Sequence, residues 1–264
     1  MLWAKSIPVA NTLPFFIDYD RALAAVADAA QKRDFSEIEA RLRRISQSVP
    51  AHLTASQVRR LAVRQFDRML QEKFGDQAPP MSQVFERREE PFFELVHNAY
   101  AESTDTPFSA AVEAIDRSIT VDSKVRRGES FMFRGDRPIY YVAPGDIANR
   151  CREIDGLVTR CSSIADCIIL FKAVLMCHPL TDGNGRLARS IFDISICRVL
   201  DVGRGLSTIY LIMQTKRSLL SIYYSQIYFD YNSEGLMEFL FESLITLSSL
   251  LEQIFFTNMG GQNE

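Results

Sequence analysis

Apolar residues recur at three-to-four spacing along most of this chain, and at strand-like spacing in one short stretch only. Phe35, Ile38, Leu42 and Ile45 follow Asp34 or Ser36 as a cap, which predicts an amphipathic helix. Thr54 caps a second such run carrying Val58, Ala62, Phe66 and Met69, with Gly75 just past its end. The stretch from Asp18 to Gly75 therefore reads as helical. Gln77-Ala-Pro-Pro80 and the charged Glu86-Arg-Arg-Glu-Glu90 mark a boundary, after which helices are expected over about 91–102 and 107–121. Two β-prone runs, Phe131–Arg134 and Ile139–Val142, flank Gly135-Asp136 and predict a hairpin. Beyond Pro144-Gly145, Asp146 opens a helix to about Val158. Ser162 or Ser163 then opens a more buried one through Ile168, Leu170, Phe171, Val174 and Leu175. A further helix runs from Arg186 to about Leu200, and Asp201-Val-Gly-Arg-Gly205 breaks the pattern. The last helix spans about Glu234 to Phe256 through Leu236, Phe239, Leu240, Leu244, Leu247 and Leu251. The expected architecture is mainly α, a helical bundle with one short β-hairpin. A helical accessory region covers 1–90, the principal domain 91–256, and a fraying tail 257–264.

Composition narrows the classes. A chain of 264 residues, 47% of them apolar, can bury a substantial core. The net charge of -3 gives no electrostatic case for nucleic acid or an anionic membrane. Arginines 41, 43, 44, 59, 60, 64 and 68 are interleaved with Glu37, Glu39, Asp67 and Glu72, as on an ordinary solvated face. Five cysteines, widely spaced and without a Cys-x-x-Cys pair, argue against zinc or a disulfide scaffold and for a reducing compartment. Residues 1–20 lack the pattern of a secretory signal, and the most apolar run, Cys167–Cys177, is too short to span a bilayer. The expected location is cytoplasmic: a bacterial cytosol, or a host cytosol for a secreted effector.

The candidate chemistry gathers in His178-Pro-Leu-Thr-Asp-Gly-Asn-Gly-Arg-Leu-Ala-Arg189. Gly183-Asn184-Gly185 opens a helix, and a helix start leaves backbone N–H groups free at the positive end of its dipole, a cradle for phosphate. Arg186 and Arg189 lie three apart on one helix face and can grip the same anion. Asp182 stands where a divalent cation would also touch phosphate oxygens. His178, one of only three histidines, is placed to take a proton from an attacking hydroxyl. Each feature alone is commonplace: a turn, a solvated helix face, a packed imidazole. Their joint occurrence within twelve residues points to phosphate-ester transfer from a nucleotide.

The stretch resembles the signature of the Fic family of AMP-transferring enzymes, His-x-Phe-x-Asp/Glu-Gly-Asn-Gly-Arg-x-x-Arg, with Leu180 where Phe is usual. The resemblance covers roughly the C-terminal 60% of the chain. It implies a Fic-type bundle and ATP as substrate, with phosphates over Gly183, Asn184 and Gly185 and Mg²⁺ on Asp182. Arg186 and Arg189 would neutralise the leaving pyrophosphate, with His178 as base toward a Ser, Thr or Tyr hydroxyl of a target protein. It further implies that the hairpin is a flap holding the target by strand addition, through Ile139, Tyr140 and Tyr141. Tyr223-Tyr224 through Asp230 would line the adenine pocket, with Tyr224 and Asp230 as its candidates. Many members are restrained by a glutamate, in a Ser/Thr-x-x-x-Glu-Gly/Asn pattern, that pairs with the second arginine. The nearest match is Ser248-Ser-Leu-Leu-Glu252-Gln253; Asn98-Ala-Tyr-Ala-Glu102-Ser103 is poorer. Restraint by a separate partner protein stays open. So does transfer of UMP, GMP, phosphate or phosphocholine, and so does a non-catalytic binding protein on the same fold.

Overall fold

The computed structural model describes residues 15–49, 52–74, 81–134, 137–201, 226–228 and 230–257. In chain order the elements are strand β1 (Phe15–Phe16) and helices α1 (Tyr19–Gln31), α2 (Ser36–Ser48), α3 (Ala55–Phe74) and α4 (Met81–Val84). A π-helical turn, Phe85–Glu89, joins α4 to α5 (Glu90–Glu102), and α6 (Pro107–Arg117) follows. Strands β2 (Phe131–Arg134) and β3 (Arg137–Tyr140) precede a 3₁₀ turn at Pro144–Asp146. Helices α7 (Ile147–Arg160), α8 (Ile164–Cys177), α9 (Asn184–Val199) and α10 (Glu234–Thr257) follow among the described residues. The molecule is mainly helical, as its periodicity predicts.

Helix α8 is the centre of the bundle. Eleven of its side chains, from Ile164 to Cys177, are buried, so it presents almost no polar face. Its start is fixed by a capping box: the Ser163 hydroxyl accepts from the Asp166 backbone N–H, and Asp166 reaches back to the Ser163 N–H. Helices α9, α1 and α7 pack around it, with Phe171 of α8 edge-on to Phe192 of α9 at 5.8 Å. The N-terminal helices belong to this core. Ala22, Val26 and Ala30 of α1 and Ile38, Leu42 and Ile45 of α2 are fully buried, and α2 packs along α10. Packing therefore runs continuously across residue 90. At the other side, Asp155 of α7 supplies a tertiary cap to α6, accepting from the backbone N–H groups of Phe108 (2.7 Å) and Ser109 (3.1 Å).

The hairpin is present, with Met132 opposite Ile139 and Phe133 opposite Pro138. It is one part of a three-stranded sheet in the order β1-β3-β2, because β1 adds parallel to β3, Phe15 against Ile139 and Phe16 against Tyr140. Sequence pattern does not reveal β1, a two-residue strand with no alternation to read.

Ser163→Ala removes the side-chain cap from the most buried helix. It is expected to cost about 1 kcal/mol, within the range of roughly 0.5–2 seen for such caps, measured by urea denaturation.

Candidate active site

The loop between α8 and α9 is built from three local devices. His178 caps the C-terminus of α8 in the left-handed conformation (φ 49, ψ 55), with its N–H still bonded to the Val174 carbonyl at 3.1 Å. Gly183, at φ 84, makes the turn into α9; a Cβ there would approach Phe92 at 3.0 Å and Arg186 at 3.2 Å, so a side chain is excluded on two counts. Asn184 then clasps the loop, its Oδ1 accepting from the Leu180 N–H and its Nδ2 donating to the Leu180 carbonyl, both at 2.8 Å. Its side chain is thus engaged in the loop, and what Asn184, Gly185 and Arg186 offer a ligand is the orphan backbone N–H of a helix start. Leu180, the residue that departs from the signature, is completely buried and bridges Val125. Thr181 donates to the Lys124 carbonyl at 2.8 Å and Arg126 to the Pro179 carbonyl at 3.0 Å, so the loop is held as a strand-like lip.

The His178 ring is half-buried and lies against the Tyr141 ring, centroids 3.9 Å apart and planes 12° from parallel. Its Nδ1 is buried without hydrogen-bond geometry to any partner, although the Leu175 carbonyl of α8 favours protonation of the ring. Burial, and secondarily the positive Arg126, push its pKa down from 6.5 to about 4, against weaker support from Leu175 and Asp182. The imidazole is therefore neutral at physiological pH, the protonation state a base requires.

The phosphate-cradle candidates are gathered, and each is engaged. Asp182 is exposed and accepts from Arg186 at 2.8 Å, while the Arg186 guanidinium lies over the Phe92 ring at 5.0 Å. Arg189 makes a bidentate pair with Glu89, with contacts of 2.7, 2.8 and 3.1 Å and both side chains 12% exposed. The carboxylate partner of Arg189 is thus Glu89 on the π-helical turn. The expectation that placed Glu252 there is corrected: Glu252 pairs with Arg44 at 3.2 Å, and Ser248 is buried with its hydroxyl bonded back to the Ile245 carbonyl at 2.9 Å. A carboxylate on α10 is drawn to the arginine-rich face of α2 that packs beside it. Glu89 was hidden in a charged run read as a boundary.

Of the flap residues, Ile139 is fully buried and Tyr141 belongs to the site. The outer edge of β3, expected to be open to a target, is filled by the chain's own β1, with the Ile17 N–H bonded to the Tyr140 carbonyl at 2.9 Å. Among the described strands the edges are β1 and β2, with β3 paired on both sides. Asp230 is exposed, and Tyr224 lies outside the described residues. Sequence reasoning also missed Arg126, one of two adjacent arginines in a loop. Its guanidinium is buried and donates to the carbonyls of His178, Gly128, Val142 and Cys177, joining the loop, the hairpin's end and α8.

The donor set bears on a metal. Among the described residues no cluster of three His, Cys, Asp or Glu could hold one. One exposed carboxylate, Asp182, beside the orphan N–H groups of a helix start is a donor set of the kind that suits Mg²⁺, which is commonly bound by one or two carboxylates together with substrate phosphates.

The sequence matches no protein-family model and no curated protein. Among solved structures, the chain is similar to a Fic family protein from Desulfovibrio desulfuricans G20. The TM-score is 0.51 at 15% identity, covering 93% of this chain and 76% of the other. This chain has a Fic fold. In that fold the mainly helical bundle and its small hairpin agree with the architecture expected from the sequence. No helix among the described residues is long and apolar enough to cross a membrane.

Two measurements follow. Unfolded, the His178 imidazole binds a proton below its usual 6.5; folded, it refuses one until about 4. Its neutral burial therefore stabilises the fold fully above 6.5, and that contribution is lost as pH falls toward 4, to be read as thermal midpoints with His178→Gln as the comparison. Asn184→Ala leaves the buried Leu180 N–H and carbonyl unpaired, with an expected cost of roughly 1–3 kcal/mol by denaturant unfolding.

Proposed function

We propose that this chain is a nucleotidyl transferase of Fic type, moving AMP from ATP to a hydroxyl of a protein. The observation that carries the reading is one turn of chain. It holds a neutral imidazole at the end of α8 and, a few residues on, the free N-terminus of α9 with Arg186 and Arg189 on its first turns. The triphosphate would lie over the N–H groups of Gly183, Asn184 and Gly185, with Arg186 and Arg189 on the leaving pyrophosphate. His178 takes the proton of a Ser, Thr or Tyr hydroxyl; that oxygen bonds to the α-phosphorus as the bond to the bridging oxygen breaks and pyrophosphate departs. Mg²⁺ on Asp182, when bound, would neutralise charge on the phosphate oxygens. Nδ1 faces the protein interior, so Nε2 is the nitrogen left to meet the hydroxyl.

The same reading makes Glu89 a restraint. A bidentate carboxylate on Arg189 competes for the fork that a terminal phosphate needs, and both groups are too enclosed for water to replace either cheaply. Asp182 on Arg186 is a different case, since its carboxylate is 68% exposed and free to turn toward a cation.

Intact-mass measurement after incubation with Mg-ATP should show an added AMP on the protein itself or on a target in a lysate. His178→Ala should lower transfer by ~10²–10⁴-fold. Glu89→Gly should raise it by roughly 10–100-fold, the equivalent of releasing a charge-assisted contact worth about 1.5–3 kcal/mol, while Glu252→Gly should leave it unchanged. Labelling by His178→Ala at the wild-type rate would refute the assignment of the base.

A further inference from the structure

The face of the His178 imidazole is covered by Tyr141, the first residue after β3. The contact is a near-parallel stack at 3.9 Å, closer than the pairs Phe16–Tyr140, Phe131–Phe133 and Phe131–Tyr140, which lie at 5.2 to 5.5 Å. Tyr141 is itself fixed from several directions. Its hydroxyl lies 3.6 Å from the Met132 sulfur on β2, and its backbone N–H bonds to the Ser130 carbonyl at 2.9 Å. Its ring meets the Tyr228 ring edge-on at 6.4 Å. Tyr228 is buried in turn and takes a hydrogen bond at 3.3 Å from Lys172, a fully buried lysine on α8. The next residue, Val142, offers its carbonyl to the same Arg126 guanidinium that holds the His178 carbonyl. Ring and backbone of His178 are therefore tied to the end of one strand.

We propose that Tyr141 is the positioning residue for His178, its ring fixing the plane of the imidazole and linking that plane to the β2–β3 hairpin. The imidazole sits on a left-handed cap, and at Nδ1 it meets the Leu175 carbonyl without full hydrogen-bond geometry, a weak hold on the ring torsion. A flat aromatic surface adds the stronger constraint by dispersion and burial. Any ligand that shifts the hairpin must move the Tyr141 ring, and the imidazole with it. The role rests on His178 being the base, and the stack can be tested without that premise.

The stack is read by NMR of His178 in the full chain. The imidazole C–H protons are expected upfield through the tyrosine ring current, to stay so in Tyr141→Phe, and to return toward ordinary positions in Tyr141→Leu. The charged groups that face the ring are Arg126, on the segment before β2, and Asp182, on the loop; both remain in either variant. The His178 pKa should accordingly rise toward 6.5 in Tyr141→Leu, where water reaches the ring, and stay near about 4 in Tyr141→Phe. In nucleotide transfer, Tyr141→Leu should lower kcat by ~10–100-fold, as expected for a misplaced catalytic group, with KM for ATP within about threefold; Tyr141→Phe should restore kcat. Unmoved His178 resonances in Tyr141→Leu overturn the stack. An unchanged kcat in a Tyr141→Leu protein whose resonances do move overturns the positioning role, as does equal loss in Tyr141→Phe. If Tyr141→Leu does not fold, Tyr141→Met, which fills the space without a ring, takes its place: the upfield shift and kcat are expected to fall together, and retention of either overturns the proposal. Should His178→Ala retain full transfer while the ring-current shift holds, it is the base assignment that fails.

Discussion

One buried guanidinium holds the site together. Arg126 directs its donors to backbone carbonyls of His178, Cys177, Val142 and Gly128, atoms from the end of one helix, the residues after one strand and its own segment before β2. A charge taken this far from water is tolerable only when its donors are satisfied, and carbonyl dipoles do that without a carboxylate. Burial lowers the arginine's affinity for its proton, yet its charge still helps keep His178 neutral. The same contact therefore sets both where the imidazole sits and which protonation state it holds.

The two arginines of the cradle are held in contrasting ways. Arg186 is paired with an exposed carboxylate from the loop just before its helix and rests on an aromatic ring; Arg189 is locked to a residue from the distant π-helical turn. Glu89 ends the π-helical turn at 85–89 and Glu90 begins α5, and these adjacent carboxylates serve different arginines: Glu90 goes to Arg60 at 2.7 Å and Glu89 to Arg189. Single π turns are frequent at functional sites.

The helices were legible in the sequence because their apolar spacing and caps agree: Ser163 and Asp166 form the capping box at the start of α8, and Gly183 turns into α9. The loop chemistry was legible because its residue types are rare in combination. Glu89 was not, since no periodicity distinguishes it from Glu86 or Glu90 in one charged run. Arg126 was not, because a loop arginine gives no sign of whether it will be buried. The aromatic cover on His178 comes from the residue after a strand whose alternation says only which face it takes, not which ring it meets. The N-terminal strand was invisible for a simpler reason: two residues carry no period.

That strand also determines when the hairpin can be finished. Phe15 and Phe16 leave the ribosome long before Ile139 and Tyr140, the partners to which they bond, and a parallel ladder between opposite halves of a chain gains nothing until both are present. During synthesis the segment that closes one edge of the sheet must wait for its partner strand, just as α1 waits for α8 and α2 for α10. The edge beside the imidazole's aromatic cover is closed late, by the earliest residues of the described chain.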